Sequence, residues 1–191
     1  NVTVNIGGVT VNVLQNHSHQ DPTEDDPIED FCDRPIGIST LDECVTDVLR
    51  CGRTLLHTTK SGTNVFSGEE YAAWGCSDAP TDGYERPERI YSFSHSGDGR
   101  PVEIGLAAPC GELDLIVIPW SSWIPGSAPG ESPIGECPTS SSGVSDCVWR
   151  HRLGDDGHLI NADTPTHFLI IVDGPLGPPS NFELTTTCSG S

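Results

Sequence analysis

After Arg50 the chain is a succession of short β-branched or aromatic runs cut apart by Gly, Pro and Ser. TLLHTT, RIYSFSH, VEIGLAA, LDLIVIPW, VWRHRL, HFLIIVDG and FELTTTC read as strands. Between them, GDGRP, PGSAPGESPIGE, SSSGVSD and GPLGPPS are turn and loop signals. Seven or eight strands at this spacing predict an all-β fold, an antiparallel β-sandwich of jelly-roll-like kind. The 21 Gly and 16 Pro among 191 residues agree, because long helices do not tolerate such punctuation. No repeat appears at a period of 20–50 residues, which excludes solenoids and propellers. Phe168 to Val172 is apolar without interruption, as a strand buried on both faces requires, and Asp173-Gly174-Pro175 ends it as a turn. Leu113, Leu115, Val117 and Trp120 share one apolar strand, in which Asp114 is a turn-facing or hydrogen-bonded carboxylate.

Cysteines occur at Cys32, Cys44, Cys51, Cys76, Cys110, Cys137, Cys147 and Cys188, and no pair has the C-x-x-C spacing of a zinc ribbon or redox motif. An even, widely spread set predicts four disulfides made in an oxidising compartment. Eight cysteines allow about 105 pairings; Cys137–Cys147, across a Gly/Ser-rich loop, is the one local pairing expected. The absence of Met suits a mature chain without initiator or signal peptide. The formal net charge of −19, from 28 acidic and 9 basic residues, repels phosphate backbones and anionic lipid. Nucleic acid and membrane insertion are therefore not expected, and the reading is of a secreted, extracellular or cell-surface protein.

CGRTLLHTT, EEYAAWGC, ERPERIYSFSHSGDGRPVEIGL, GELDLIVIPW and HFLIIVDGPLGPPSNFELTTTC follow one another over about residues 50 to 188. In that order they resemble the bacterial pre-peptidase C-terminal domain in its cysteine-containing form. Glu112-Leu113-Asp114-Leu115 departs from that pattern by one glutamate, and His167-Phe168 stands where Tyr is usual. The resemblance implies a compact β-sandwich appended to secreted proteins, in an accessory or binding role without chemistry of its own. Some members bind calcium, but no ligand position carries across.

Upstream of the sandwich, residues 1–15 form a β arm, 16–30 an acidic linker and 31–49 a short helical or irregular segment, leaving 50–191 for the sandwich. In the third piece, Ser39 or Thr40 caps an expected helix with Leu41, Val45, Val48 and Leu49 on one face. The arm, NVTVNIGGVTVNVLQ, alternates Val2, Val4 and Ile6, then Val9, Val11 and Val13, around Gly7-Gly8. It is either a two-residue hairpin, with Ile6 opposite Val9, Val4 opposite Val11 and Val2 opposite Val13, or one strand kinked at the glycines. The linker, NHSHQDPTEDDPIED, spans up to about 50 Å when extended. Asn1 and Asn16 begin N-x-[ST] glycosylation sequons.

Nothing matches G-x-S-x-G, H-E-x-x-H, a P-loop or an EF-hand, so no catalytic residue is assigned and the chain is not read as an enzyme. Asp155, Asp156, Asn161 and Asp163 in GDDGHLINAD offer oxygens of the kind calcium takes, although a polar hairpin loop needs the same residues. TEDDPIED is a weaker candidate of that type. His17 and His19 make an incomplete divalent-metal pair within a solvated linker. Otherwise no cofactor is expected. Trp120 and Trp123 in PWSSWIPG either stack on sugar rings or cover the sandwich edge. Arg150-His151-Arg152 is a basic cluster, facing a neighbour's carboxylates or lying on an exposed strand. A hairpin of two short strands is at best marginally stable in water and needs a docking surface. The reading that follows is a structural subunit of an extracellular filament, each copy donating its arm to the next, as in donor-strand pili. The alternatives are an arm that is an ordinary strand of its own domain, and a secreted carbohydrate- or calcium-binding accessory module.

Overall fold

The computed structural model describes residues 2–6, 9–13, 27–40, 44–74, 76, 83–120, 148–150, 156–175 and 177–189. The arm is a hairpin: β1 (Val2–Ile6) pairs antiparallel with β2 (Val9–Val13), with Ile6 opposite Val9, Val4 opposite Val11 and Val2 opposite Val13. This is the hairpin register, not the kinked strand. The pair makes a two-stranded sheet of its own.

After a short helix α1 (Pro27–Asp33) come β3 (Val45–Val48), β4 (Arg53–Thr58) and helix α2 (Gly68–Ala73). The remaining strands are β5 (Arg89–His95), β6 (Val102–Ala107), β7 (Asp114–Pro119), β8 (Val148–Arg150), β9 (Asp156–Ile160), β10 (Thr166–Asp173) and β11 (Asn181–Cys188). They form two sheets, β3-β5-β10-β7-β8 and β4-β11-β6-β9, so the all-β sandwich stands. Every pairing among the described strands is antiparallel except β3 with β5, which is parallel. Each of the seven runs read as strands from the sequence contributes to a strand.

Leu55, Ile104, Leu106, Phe182 and Leu184 of one sheet and Tyr91, Phe93, Leu115, Val117, Phe168, Ile170 and Val172 of the other belong to one core cluster. Alternate residues of the larger sheet, Ile90, Ile116, Ile118, Leu169 and Ile171, join a second cluster with Phe66, Tyr71, Trp74, Tyr84 and Trp120. β5, β7 and β10 are thus buried on both faces, which is why Phe168 to Val172 has no polar interruption. The second core is sealed by aromatic edges: Phe66 meets Trp74 at 4.8 Å and Tyr71 meets Tyr84 at 5.2 Å, both near perpendicular.

Three expectations need correction. The helix expected over Ser39 to Leu49 is not formed at Val45–Val48, which is β3. Its β-branched Val45, Thr46 and Val48 suit a strand, and Val45 and Thr46 are both buried there. Asp156 to Ile160, read as part of a calcium-type acidic cluster or a polar hairpin loop, is β9, with Asp156 opposite Leu106 and Ile160 opposite Val102. The third is α2, inside a stretch read as wholly β. Ser67 caps it, and its N–H donates to Glu70 Oε2 at 2.8 Å, the capping box that S-G-E-E spells.

Candidate functional site

Two constructions stand out: the anchor from which the arm's tether departs, and a buried acid cluster that no motif announced. The anchor is α1. Cys32 is bonded to Cys110, which joins the helix to the turn between β6 and β7. At the first residue of β11, Asn181 Nδ2 donates to the carbonyls of Phe31, Cys32 and Arg34 at 2.8, 3.2 and 2.9 Å. Those are carbonyls that the end of a helix leaves without partners. One asparagine and one disulfide therefore fix where the tether leaves the sandwich, while Arg34 bridges back to Asp30 at 2.8 Å.

Elsewhere Cys51 is bonded to Cys188, closing β4 onto the end of β11, and Cys44 and Cys76 are also in disulfide linkage. Cross-links of this number place the folded chain in an oxidising compartment, extracellular or periplasmic. Among the described residues no helix is long and apolar enough to cross a membrane.

The acid cluster lies in the second core, at one end of the larger sheet. Asp114 on β7 and Asp173 on β10 are directly opposite each other, and neither exposes any surface. Glu88, just before β5, is equally buried. Each aspartate takes a tyrosine hydroxyl: Tyr71 of α2 donates to Asp173 Oδ2 at 2.5 Å, and Tyr84 donates to Asp114 Oδ2. Burial pushes the Asp173 carboxyl up to about 7, reinforced by Glu88, while the bonds from Tyr71 and the Gly174 N–H pull the other way. Burial likewise raises Glu88, against the bonds that its Oε1 accepts from the Thr63 hydroxyl and the Val65 N–H. Arg86 lies alongside and laces the loop after β10, donating to the carbonyls of Glu112, Pro175 and Pro178. Gly174 is obligatory here, since a Cβ would stand 2.5 Å from the Glu112 carbonyl oxygen. With no exposed face, the cluster pins α2 and the Tyr84–Arg86 segment to the sheet; it is a latch and offers no substrate a way in.

A third polar contact lies on the inner face of the sandwich. His57 Nδ1 meets the Tyr91 hydroxyl at 2.6 Å, with the rings stacked at 5.6 Å, and burial lowers the imidazole to about 4.

Of the residues singled out from sequence, Val2, Val4, Ile6, Val9, Val11 and Val13 are brought into paired register. Gly7 and Gly8 between them lie outside the described residues, as do Asn1, Asn16, His17, His19, Trp123, Asp155, His151, Arg152 and the Cys137–Cys147 pair. Trp120 is a correction: it is 6% exposed in the second core, so its ring is not a sugar platform. Asp156 is held in β9 by its backbone, while Asn161 and Asp163 are exposed on the turn after it. Among the described residues no three His, Cys, Asp or Glu side chains are grouped to hold a metal ion. Sequence reading missed the Asp114–Asp173 pair, whose signal was an acid at the end of each of two apolar runs.

No family model matches the chain, and no curated protein matches it. Among solved structures it is similar to the pre-peptidase C-terminal domain of a collagenase from Bacillus anthracis, at 10% identity and a TM-score of 0.40. That likeness covers 74% of this chain and 93% of that one. It is also similar to PliG of Aeromonas hydrophila, a periplasmic inhibitor of g-type lysozyme, at 11% identity and a TM-score of 0.35 over 76% and 98% of the two chains. A third is CorA, a surface-associated copper-binding protein of Methylomicrobium album BG8, at 8% identity and a TM-score of 0.42 over the same shares. Scores below 0.5 add nothing to the sandwich, which is read directly from its strands.

Proposed function

We propose that the chain is a structural subunit of an extracellular filament, in which the N-terminal hairpin of each copy is donated to a neighbouring copy. One observation carries the reading: among the described strands, β1 and β2 pair only with each other and join neither sheet of their own sandwich. A two-stranded sheet of five-residue strands does not hold itself together in water, so it is built to be completed by another surface. The fixed anchor at Cys32 and Asn181 gives the tether a defined point of departure. Because every copy both gives and receives, the contact is heterologous and propagates. Internal disulfides keep each unit folded outside the cell. The reading assigns no catalysis and no cofactor.

Electron microscopy of the oxidised protein tests it. The intact chain is expected to form filaments, and Val4→Glu with Val11→Glu is expected to leave folded single particles. Single particles from both proteins would defeat the proposal.

A further inference from the structure

A donated hairpin needs a receiving edge, and the described strands of the sandwich offer four: β3 and β8 bound the larger sheet, β4 and β9 the smaller. β3 has four residues with a shift of register between Val45 and Asp47, and β8 has three. Neither offers a straight ladder as long as the five-residue β1. β9 has five residues, but it starts at Asp156, next to Asp155 in sequence, and exposed Asp163 follows it. β4 has six residues, pairs along one side with β11 and with no other described strand, and carries Leu56 43% exposed.

Charge separates the last two. Residues 1–15 carry no charged side chain, whereas 16–30 carry six carboxylates. An edge that suits this order is apolar along the strand and basic at one end. β4 has that layout. Beyond Thr58 it opens on a cleft of about 700 Å³ whose charged lining is Lys60, Arg89, Asp33 and Arg34, the last ion-paired with Asp30. Arg89 is buried, with Nε donating to the Thr58 carbonyl at 2.8 Å and Nη2 to the Lys60 carbonyl at 2.5 Å. No described carboxylate pairs with Arg89 or Lys60. The acids flanking β9 would repel the same tether.

We propose that the outer edge of β4 receives the hairpin of a second copy, with β1 antiparallel to β4 and the incoming acidic tether over Lys60 and Arg89. This rests on the filament reading above. The orientation follows from the register. Val2 is opposite Val13, so setting β1 antiparallel to β4 brings the end of β2, and the tether that follows it, to the Thr58 end where the basic cleft lies. The result is a six-stranded antiparallel sheet, β2-β1-β4-β11-β6-β9, shared by two chains. Among the described strands the hairpin pairs with neither sheet of its own chain, so the proposal takes a second copy as its occupant.

Three full-length proteins test this by light scattering after size exclusion: the natural chain, the arm variant Val4→Glu/Val11→Glu, and an edge variant Leu56→Lys/Lys60→Glu. The edge variant alters two exposed residues, so its melting curve should match the natural chain's. Its self-association is expected to be at least about tenfold weaker, because an edge lysine opposes pairing and a carboxylate at position 60 would repel the tether. Each variant alone should be monomeric. A mixture of the two should give a one-to-one heterodimer that high salt dissociates, since one still donates and the other still accepts. Filaments from the edge variant, with none from the arm variant, would keep arm donation and overturn β4 as its acceptor. Monomeric variants whose mixture stays monomeric would overturn it too. A monomeric natural chain whose β4 amides lose exchange protection in the arm variant would assign the arm to its own sandwich. A monomeric natural chain without that effect would end the filament reading, and this one with it.

Discussion

Asp173 and Asp114 face each other across neighbouring strands with no exposed surface, an arrangement that two full negative charges would drive apart. It persists because each accepts a tyrosine hydroxyl and because burial holds Asp173 protonated up to about 7. Tyr71 is then more than a filler of the second core: its hydroxyl is the donor that ties α2 to the sheet. Tyr71→Phe keeps the ring and its edge contacts with Trp74 and Tyr84 but removes that donor. A buried acceptor left without its partner costs about 1–3 kcal/mol. For a chain of this size that lowers the melting temperature by roughly 2–12 °C. Circular dichroism melts should show the loss larger at pH 8, where Asp173 is ionised, than at pH 5. An equal loss at both would mean that the hydroxyl does not serve the carboxylate.

Among the elements, most strands of the sandwich were legible and their partners were not. RIYSFSH, LDLIVIPW and HFLIIVDG announce β5, β7 and β10 by composition alone, whereas V-T-V-N-I-G-G-V-T-V-N-V fits a hairpin or a kinked strand, and only the pairing of Ile6 with Val9 decides between them. β3 was lost because Val45 and Leu49 fit a helical face as well as a strand. Its pairing with β5 is parallel and distant, which no local pattern encodes. β9 was lost because its strand role lies in backbone bonds to β6, which carry no side-chain signature. The anchor was invisible for a similar reason: Asn181 lies about 150 positions from the carbonyls it caps, and eight cysteines do not declare their partners. A prediction belongs at this scale. Cys32–Cys110 closes a loop of 78 residues, worth about 4.5 kcal/mol in a chain-entropy model. Replacing both cysteines by serine should release α1 and leave the two sheets intact. Hydrogen exchange should then show protection lost over residues 27–34 and kept in β10 and β11. Protection lost throughout would mean that this disulfide supports the sandwich itself, not only the foot of the tether.

For the whole molecule, the same buried groups set how stability follows pH, and their signs differ. The folded-state value of Asp173, about 7, lies above its ordinary 3.8, so over that window the folded chain keeps a proton that the unfolded chain has released. Its stabilisation is complete below the lower value and is lost as pH rises through the upper one. Glu88, also raised by burial, acts in the same direction. His57 is opposite. Its value falls from 6.5 to about 4, so its contribution is present above 6.5 and is lost as pH falls towards 4. Each proton difference gives a slope of at most about 1.4 kcal/mol per pH unit. Between pH 4 and 6.5 Asp173 therefore offsets His57, and Glu88 acts on the side of Asp173. The net charge of −19 adds repulsion of the same sign as pH rises. Urea unfolding should find the chain more stable at pH 5 than at pH 8, with unchanged dependence on denaturant. Asp173→Asn should flatten that decline, because it removes the proton that the folded chain keeps at this site. His57→Gln should steepen it between pH 4 and 6.5, by removing a buried group that gains with rising pH. A natural chain that is more stable at pH 8 would show that Asp173 is ionised in the fold throughout. The tyrosine bonds would then outweigh burial at the latch.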